Sequence, residues 1–326
     1  MIPLSCPRCR YAVFITVPTI HCAGCDSRYP VVGGIPDLRT APDPWIGMAE
    51  DRAKGLAVDS SAPPGFEAAV RTYWAITPET TPADAARHID HVLGALERSR
   101  EWVASLDPPA RVEEEWLDLG CGTADIACAA PRGVRVTGID VAYRWLVVAR
   151  RRLDEAGVDA ELICGNAQSL PFPEHSFDRV VALGTVEHCA DLDAVLRETM
   201  RVLRPGGRLH LRTTNRFSVL PEPHVGLWGV GWLPRAWADR YVRWRGGRGF
   251  DHHYPRGPRE LSRAMQRAGF TKISARASPM LESERHRVPL FCRPLIPLYD
   301  VTRGVPMLNL LIRSVAPMLD LEGVAS

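Results

Sequence analysis

A glycine loop between two short apolar runs constrains the fold of this chain more than any other feature of its sequence. The run 116–119 leads into Gly120 and Gly122, and the run 135–140 ends in an acidic residue, Asp140. Glycines at the end of a strand let the backbone turn sharply and let a ligand approach without meeting a Cβ. The order of strand, glycine loop, helix and strand predicts a parallel βαβ unit, with the loop at the carboxyl edge of its sheet.

Three more apolar runs follow and alternate with stretches of helical periodicity. The predicted strands are 116–119, 135–140, 161–164, 177–183 and 208–213, with helices such as 143–156 and 192–203 between them. The alternation predicts an α/β fold whose sheet core occupies residues 113–215. Upstream, residues 39–112 are predicted to be a linker followed by a helical segment at 83–106.

The acidic residues around the loop select among the cofactors that such a loop can hold. In a dinucleotide fingerprint the third glycine would fall at Asp125, where a carboxylate would repel a pyrophosphate. S-adenosylmethionine (SAM) carries no phosphate, and its sulfonium and amino groups are cationic, so Asp118 and Asp125 suit it. Asp140 is placed to accept hydrogen bonds from ribose hydroxyls, a role compatible with capping the next helix. The loop therefore predicts SAM as the cofactor.

Four motifs in this region resemble those of the class I SAM-dependent methyltransferases, particularly the methyltransferase type 11 group that includes the ubiquinone and menaquinone biosynthesis enzymes. They are 117–123, which resembles motif I, and then 165–172, 176–181 and 203–209. The resemblance implies a Rossmann-like, doubly wound, seven-stranded sheet, whose last, antiparallel strand is placed at 318–324. It also implies an enzyme that transfers the methyl group of SAM.

The same resemblance implies which residues contact the cofactor. The predicted cofactor-binding residues are Asp118, Gly120, Cys121, Gly122, Asp140, Val141, Asn166, Ala167 and Gly184. Two positions depart from the family pattern, since Ala124 replaces a glycine and Asn166 replaces an acidic residue. The amide oxygen of Asn166 can still accept a hydrogen bond from the adenine amine, but the charge is lost.

The candidate catalytic residues follow the fourth predicted strand. Methyl transfer needs the nucleophile, the methyl carbon and the sulfur in line, and it needs a base only where the nucleophile is protonated. His188 is the candidate base, and Glu187 is the candidate residue to orient it. A structural or cofactor-side role for His188 stays equally open.

Residues 216–257 are too long for an ordinary connection between a strand and a helix, and they predict a lid or substrate insertion. The candidate substrate residues are Asn215, His224, Trp228, His252, His253 and Tyr254. Arginines accompany the aromatic residues at positions 235, 240, 243, 245 and 248. This composition suits an acceptor with an apolar body and an anionic head. In the alternative interpretation, the tryptophans pack the lid onto the domain and the arginines are solvated.

The first 38 residues contain two cysteine pairs at metal-ligand spacing. Cys6, Cys9, Cys22 and Cys25 form a C-x₂-C…C-x₂-C set that can place four thiolates around one Zn²⁺. All four positions are cysteine, so a structural zinc ribbon is predicted; two disulfides or a site that has lost its metal are the alternatives. The run 29–38 resembles the small zinc-ribbon activators that partner RNA and protein methyltransferases. Such a module is here predicted to be fused in cis.

Composition and sequence pattern indicate the cellular location of the chain and the classes of partner that it can bind. A net charge of +2 gives no field that would steer it onto nucleic acid or an anionic membrane. The first residues lack the pattern of a signal peptide, and no run of about 18 apolar residues predicts a membrane span. Together with cysteines at ligand spacing, these features predict a cytoplasmic protein.

The leading hypothesis is SAM-dependent methyl transfer to a small-molecule acceptor, such as a natural-product, isoprenoid or lipid-linked molecule. The alternatives are an RNA methyltransferase whose ribbon contacts RNA, and a non-catalytic scaffold that activates a partner. Residues 258–326 are assigned to the C-terminal part of the methyltransferase domain. Their apolar runs, 288–291, 295–299 and 307–312, leave open a buried core, a homodimer contact or a peripheral contact with a membrane.

Overall fold

The computed structural model of this chain describes residues 2–247, 249–288 and 290–326. Arg248, one of the lid arginines, and Pro289, in the apolar run 288–291, lie outside the described residues. The chain divides into two compact units. Unit 1 comprises Met1–Val180 with Arg201–Arg204, and unit 2 comprises Val181–Met200 with Pro205–Ser326.

Unit 1 begins with the cysteine module, which is a four-stranded antiparallel sheet in sequential order. Its strands are β1 (Val13–Thr16), β2 (Thr19–Cys22), β3 (Arg28–Val32) and β4 (Ile35–Pro36). Four helices follow: α1 (Met48–Ser61), α2 (Phe66–Ala75), α3 (Pro82–Leu93) and α4 (Ala95–Ala104). The cysteine module and the helices therefore precede the glycine loop within one compact unit.

The helical section differs from the sequence prediction in two ways. The segment interpreted as a linker holds α1 and α2, and the predicted helical run 83–106 divides at Gly94 into α3 and α4. α1 was missed because its buried positions are Asp51, Gly55 and Val58, which form no apolar stripe. The start of α3 follows an ordinary signal, since the Thr81 hydroxyl accepts a hydrogen bond from the Asp84 amide at 3.2 Å, with a proline just inside the helix.

The remaining elements are β5 (Glu115–Leu119), α5 (Asp125–Ala129), β6 (Arg135–Asp140), α6 (Tyr143–Ala156), β7 (Glu161–Cys164), β8 (Phe177–Leu183), α7 (Leu192–Val202), β9 (Leu203–Thr214), α8 (Arg235–Trp244), α9 (Pro258–Arg267), β10 (Thr271–Ala277), α10 (Ile296–Gly304), α11 (Pro306–Ile312) and β11 (Met318–Val324). From β5 to β9 strands and helices alternate as predicted, except that β8 follows β7 without a helix between them. All five strands predicted for the core are present, and the fifth is longer at both ends.

The sheet has seven strands in the order β10-β11-β9-β8-β5-β6-β7. β5 pairs with β6 and β6 pairs with β7 in parallel, whereas β11 is antiparallel to both β9 and β10. The predicted Rossmann-like α/β fold is therefore confirmed, and so is the last, antiparallel strand at 318–324. A parallel pair needs a crossover, and α5 and α6 supply the two crossovers of unit 1.

A buried ion-pair network joins the residues after the cysteine module to the start of α6. Arg39 contacts Asp37 and Asp51 at 2.6 Å each, and all three side chains are fully buried. Arg144 contacts Asp51 at 2.7 Å and Asp43 at 2.8 Å. Asp51 also accepts the backbone N–H of Tyr143 at 2.8 Å, so it caps α6 from a neighbouring helix. Charges buried this deeply are tolerated only when each is paired and hydrogen-bonded.

The cysteine module is also hydrogen-bonded to the edge of the large sheet. β7 is the edge strand, and the Leu38 amide donates to the carbonyl of its last residue, Cys164, at 2.8 Å. The Ser5 amide donates to the Pro171 carbonyl at 2.9 Å. Backbone pairing of this kind satisfies an edge that would otherwise be open to another chain.

Most large side chains of the apolar runs near the C-terminus lie on the surface of unit 2, although Val288 and Ile296 are buried. The exposed large side chains there include Leu290, Phe291, Leu295, Leu298, Val301, Met307, Leu310 and Leu311. Within the described part of the chain, no helix combines the length and hydropathy that crossing a membrane requires.

We expect the substitution Asp51→Asn to destabilise the protein by about 3–5 kcal/mol, because it leaves two buried guanidinium groups with too few counter-charges. Urea unfolding monitored by circular dichroism gives this free energy. The matched control is Asp59→Asn, in the same helix, whose carboxylate is half exposed and pairs with Arg151 of α6 at 2.8 Å. The control should cost less than about 1 kcal/mol. Equal effects of the two substitutions would contradict the importance of the buried network.

Candidate cofactor and metal sites

The predicted cofactor loop leaves β5 through three residues in the left-handed region. Gly120 has φ 76° and Gly122 has φ 47°, conformations that glycine adopts without strain. Ala124 is also left-handed, at φ 57°, although it carries a Cβ. The amides of Gly120 and Cys121 both donate to the Ile139 carbonyl, at 2.8 and 3.0 Å. The loop is thereby fastened to the end of β6, where Asp140 lies.

Asp140 is held by two backbone amides at the carboxyl end of β6. Its Oδ2 accepts from the Gly122 amide at 2.9 Å, and its Oδ1 accepts from the Ala142 amide at 2.8 Å. Burial raises the pKa of Asp140, although these two hydrogen bonds oppose the shift. Each carboxylate oxygen has a second lone pair available for a hydroxyl donor. The geometry therefore fits the role predicted for Asp140.

Asp118 is a buried carboxyl group, and one of its oxygens lacks a hydrogen-bond donor among the described residues. It is 2% exposed, and the oxygen without a donor is Oδ2. Burial raises its pKa well above the usual value, and the nearby carboxylates of Asp125 and Asp140 raise it further. A buried polar atom left in this state is costly unless a ligand or water satisfies it. A cationic or hydrogen-donating ligand would relieve all of these costs at once.

Open space lies against part of the loop. A Cβ added to Gly122 would meet no atom within 4 Å, so open space lies against this part of the backbone. Asp125, by contrast, is engaged within the fold, because the hydroxyls of Ser99 and Thr123 both donate to its carboxylate. The partnership with Ser99 was not predicted, since nothing in the sequence brings α4 next to the loop.

The other predicted cofactor residues of unit 1 have varied surroundings. The Cys121 thiol is buried and packs against Gly138, where an added Cβ would lie 2.8 Å from its Sγ. The Val141 carbonyl accepts a hydrogen bond from Arg39 at 2.9 Å. Ala167 is half-buried after β7. The contacts of these residues with a cofactor stay predictions.

Asn166 is bonded to the residues that follow the cysteine module. Its Oδ1 accepts from the backbone amides of Thr40 and Ala41 at 2.8 and 3.1 Å. Its Nδ2 donates to the Ala41 carbonyl at 3.1 Å. The side-chain amide is therefore engaged at both ends, and its predicted contact with adenine stays a prediction.

In unit 2, the candidate catalytic pair lies just after β8. Gly184 has φ 69°, and the short helical turn Val186–His188 follows it. The Glu187 carboxylate is buried and accepts from the Thr213 hydroxyl at 2.7 Å, while its backbone carbonyl accepts from the Tyr254 amide at 2.6 Å. Glu187 thus joins the end of β9 to the predicted lid.

His188 lies in a cluster with two other histidines that the sequence assigned to the substrate. Its ring centroid is 4.9 Å from that of His224 and 5.1 Å from that of His253, and the last two are 4.5 Å apart. Burial lowers the pKa of His188, and burial with the neighbouring imidazoles lowers the pKa of His253 to about 3. Burial would also lower the pKa of His224, but the hydrogen bond to Glu222 together with the charges of Glu222 and Glu187 outweighs burial and raises the pKa. The cluster was not predicted.

The remaining candidate substrate residues have different surroundings. The Asn215 amide donates to the carbonyls of Arg313 and Ala316, at 3.1 and 2.9 Å. Arg235 lies over the ring of Tyr254, with 3.6 Å from its guanidinium carbon to the ring centre. Trp228 is exposed, and His252 is half-buried. Their roles toward a substrate stay predictions.

The small core of the predicted lid contains none of its tryptophans. That core consists of Val230, Ala238, Val242 and Phe250. The four lid tryptophans, Trp228, Trp232, Trp237 and Trp244, are all more than half exposed. The interpretation in which the tryptophans pack the lid down is therefore wrong, because α8 turns its smaller residues inward and leaves the large rings at the surface.

The four module cysteines converge as their spacing predicted. The Sγ atoms of Cys6 and Cys25 are 3.6 Å apart, those of Cys9 and Cys22 are 3.3 Å apart, and all four lie within 4.8 Å of one another. These cysteines are not joined as disulfides. A tetrahedral Zn²⁺ with Zn–S bonds of about 2.3 Å separates its sulfurs by about 3.8 Å, so the set fits that ion closely.

Comparison with known proteins identifies the segment that carries the glycine loop. Residues 117–211 match the sequence family described as "Methyltransferase domain". The matched segment contains Asp118, the loop, Asp140 and Asn166, and it extends along β9.

Individual relatives match the same region. The 27-O-demethylrifamycin SV methyltransferase of Amycolatopsis mediterranei is 34% identical over 155 residues, which cover 46% of this chain and 52% of that protein. The demethylmenaquinone methyltransferase of Listeria welshimeri is 44% identical over 109 residues, covering 32% of this chain and 46% of that protein. The chain thus spans about half the length of the curated relatives it matches.

Among solved structures, a SAM-dependent methyltransferase from Thermotoga maritima superposes with a TM-score of 0.48 at 17% identity. The match covers 74% of this chain and 95% of that one.

Proposed function

We propose that this protein transfers the methyl group of SAM to a small-molecule acceptor. The observation that carries the proposal is the unpartnered, buried carboxylate oxygen of Asp118 beside the glycine loop of a methyltransferase domain. The amino group of SAM is a cationic donor of the kind that this oxygen lacks. Asp140, fixed by two amides, supports the proposal as an acceptor for ribose hydroxyls.

The residues of the loop would act by binding and orientation. SAM, when bound, supplies an electrophilic methyl group on a positively charged sulfur. Asp118 would hold the amino group, and Asp140 would hold the ribose, so that the two ends of the cofactor are fixed independently. Since in-line displacement depends mainly on alignment, such rigid placement is the main contribution required of the protein.

For the acceptor, we propose a hydroxylated or quinone-like molecule with a large apolar body. The relatives that support this choice act, by their names, on 27-O-demethylrifamycin SV and demethylmenaquinone, and a third is a ubiquinone biosynthesis O-methyltransferase. The exposed tryptophans of the predicted lid and the apolar surface of α10 and α11 offer such a body places to bind.

Calorimetry with SAM and with its demethylated product tests the cofactor assignment. Both should bind the purified full chain, and Asp118→Asn should weaken SAM binding by about 1.5–3 kcal/mol through loss of a charge-assisted hydrogen bond. Asp59→Asn, far from the loop in sequence and half exposed, serves as the control and should bind SAM normally.

The Asp118→Asn protein should remain folded, so a loss of SAM affinity can be attributed to the missing carboxylate. A raised carboxyl pKa means that the folded state resists ionisation, so wild-type stability falls as pH rises from the usual carboxyl range toward the raised pKa. The neutral amide removes this cost, and the variant should be at least as stable as the wild type at neutral pH. A folded variant with unchanged SAM affinity would remove Asp118 from the site.

Turnover with a panel of acceptors tests the reaction itself. Phenols, hydroquinones and polyketide-like hydroxyl compounds are incubated with SAM and protein, and methylated products are sought by mass spectrometry. We expect at least one apolar hydroxyl compound to gain a methyl group. Tight SAM binding without any product across the panel would favour the non-catalytic scaffold instead.

For the cysteine module, we propose a structural zinc ion bound by Cys6, Cys9, Cys22 and Cys25. The convergence of four unbonded sulfurs supports this proposal, and it leaves no open coordination position for catalysis. The module would then be a zinc ribbon joined to the methyltransferase domain through the edge of β7.

Replacement of Cys9 by serine should remove this zinc ion and unfold the module. Cobalt substitution measures the site directly, because thiolate ligands give Co²⁺ an intense charge-transfer absorption that oxygen and nitrogen ligands do not. We expect the band in the wild type and its loss in Cys9→Ser. Cys128→Ser, at a half-buried cysteine outside the module, is the control and should keep the band. A wild-type protein without the band would contradict the zinc proposal.

A further inference from the structure

Three histidines that are far apart in the sequence converge in unit 2. His188 follows β8, His224 lies in a tight turn of the predicted lid, and His253 follows α8. One ring nitrogen from each lies within 4.8 Å of the others. The rings are inclined to one another at 53–89°, so they do not form a parallel stack.

A carboxylate outside the cluster orients the His224 ring. Glu222 Oε1 lies 2.7 Å from His224 Nδ1, and an ionised carboxylate only accepts, so this nitrogen must carry the proton. The nitrogen that this ring can offer to an ion is therefore Nε2. A carboxylate that accepts from one nitrogen of a histidine while the other nitrogen binds an ion is the usual support of a metal-ligating histidine.

Glu222 is itself fixed in place, which makes this support rigid. Its Oε2 accepts the backbone amides of His224 and Val225, at 2.8 and 3.0 Å. Its own backbone amide and carbonyl bond to Leu227 and Gly226, at 2.9 and 2.8 Å. The glutamate is 9% exposed. These hydrogen bonds fix the backbone of the turn that carries His224.

We propose that His188, His224 and His253 bind a divalent transition-metal ion of the zinc class, with Glu222 as the residue that orients His224. A tetrahedral ion with Zn–N bonds of about 2.0–2.1 Å separates its nitrogens by about 3.3 Å, so ring movements of about 1 Å complete the site. Three imidazoles favour Zn²⁺ and its neighbours over Mg²⁺ or Ca²⁺, which prefer oxygen.

This site differs in kind from the cysteine site. Three protein ligands leave one coordination position open, for water or for an anionic oxygen of a small molecule. The cysteine set fills all four positions with sulfur. The proposal gives His188 the role of a ligand in place of a free base, and it holds whether or not the chain transfers methyl groups.

The test uses the full chain, stripped of metal by a chelator and then titrated with Co²⁺ and Zn²⁺. We expect two ions per chain, one giving thiolate charge-transfer absorption and one giving only the weaker bands of nitrogen and oxygen coordination. His253→Ala should lose the second ion and keep the first. His252→Ala, at the neighbouring histidine outside the cluster, should retain both.

Glu222→Gln separates a metal-orienting role from a merely structural one. The amide can keep the turn folded but is a weaker partner for the His224 ring, so Zn²⁺ affinity at the histidine site should fall by about 10–100-fold. Affinity is measured by competition with a chromophoric chelator, and thermal unfolding checks the fold.

Two results would overturn the proposal: a wild-type chain that binds only the thiolate-bound ion, or a His253→Ala chain that binds both ions as the wild type does. The thiolate band reports the cysteine site separately, and SAM calorimetry reports the cofactor site separately. Failure of the histidine site is therefore distinguishable from failure of either other proposal.

Discussion

The architecture of unit 1 depends on the carboxylate of Asp51, which two buried arginines and the first amides of α6 share. Arg39 and Arg144 each need it, and Arg39 also donates to the Val141 carbonyl, next to Asp140. Because unpaired buried charges are so costly, separating the parts of this network would be strongly unfavourable. The segment after the cysteine module, helix α1 and the end of β6 are held together by this network. The predicted cofactor loop therefore depends on contacts from outside the segment that matches the methyltransferase family.

Asn166 shows how such contacts change the domain itself. Where the resembling family has an acidic residue, this chain has an amide that accepts from Thr40 and Ala41 and donates to Ala41. A carboxylate could take over the acceptor part but not the donation to a carbonyl. The departure from the family pattern thus matches the presence of a linker packed against β7.

The elements that sequence predicts well are those whose signal is local. The five core strands and the glycine loop carry their pattern within a few residues, and the cysteine pairs are recognisable from spacing alone. α1 was missed because Asp51 and Gly55, which have no apolar character, occupy its buried face. The histidine cluster was missed because its members are brought together only by the packing of the predicted lid, and no spacing rule links positions 188, 224 and 253. Large aromatic rings are usually buried, which suggested that the tryptophans pack the predicted lid down. Helix α8 instead buries Ala238 and Val242 and leaves its tryptophans exposed.

The pairing of Leu38 with the end of β7 has a practical consequence for anyone shortening this chain. Residues 1–38 would be an obvious segment to delete, since they precede the segment that matches the methyltransferase family and look like an appended module. Deletion would remove the backbone donors that reach Cys164 and Pro171, along with Asp37 of the ion network, and would bare a strand edge of the kind that recruits other chains. A shortened protein that begins after the cysteine module would therefore be prone to aggregation. The module is better treated as the part of the fold that covers the edge strand β7.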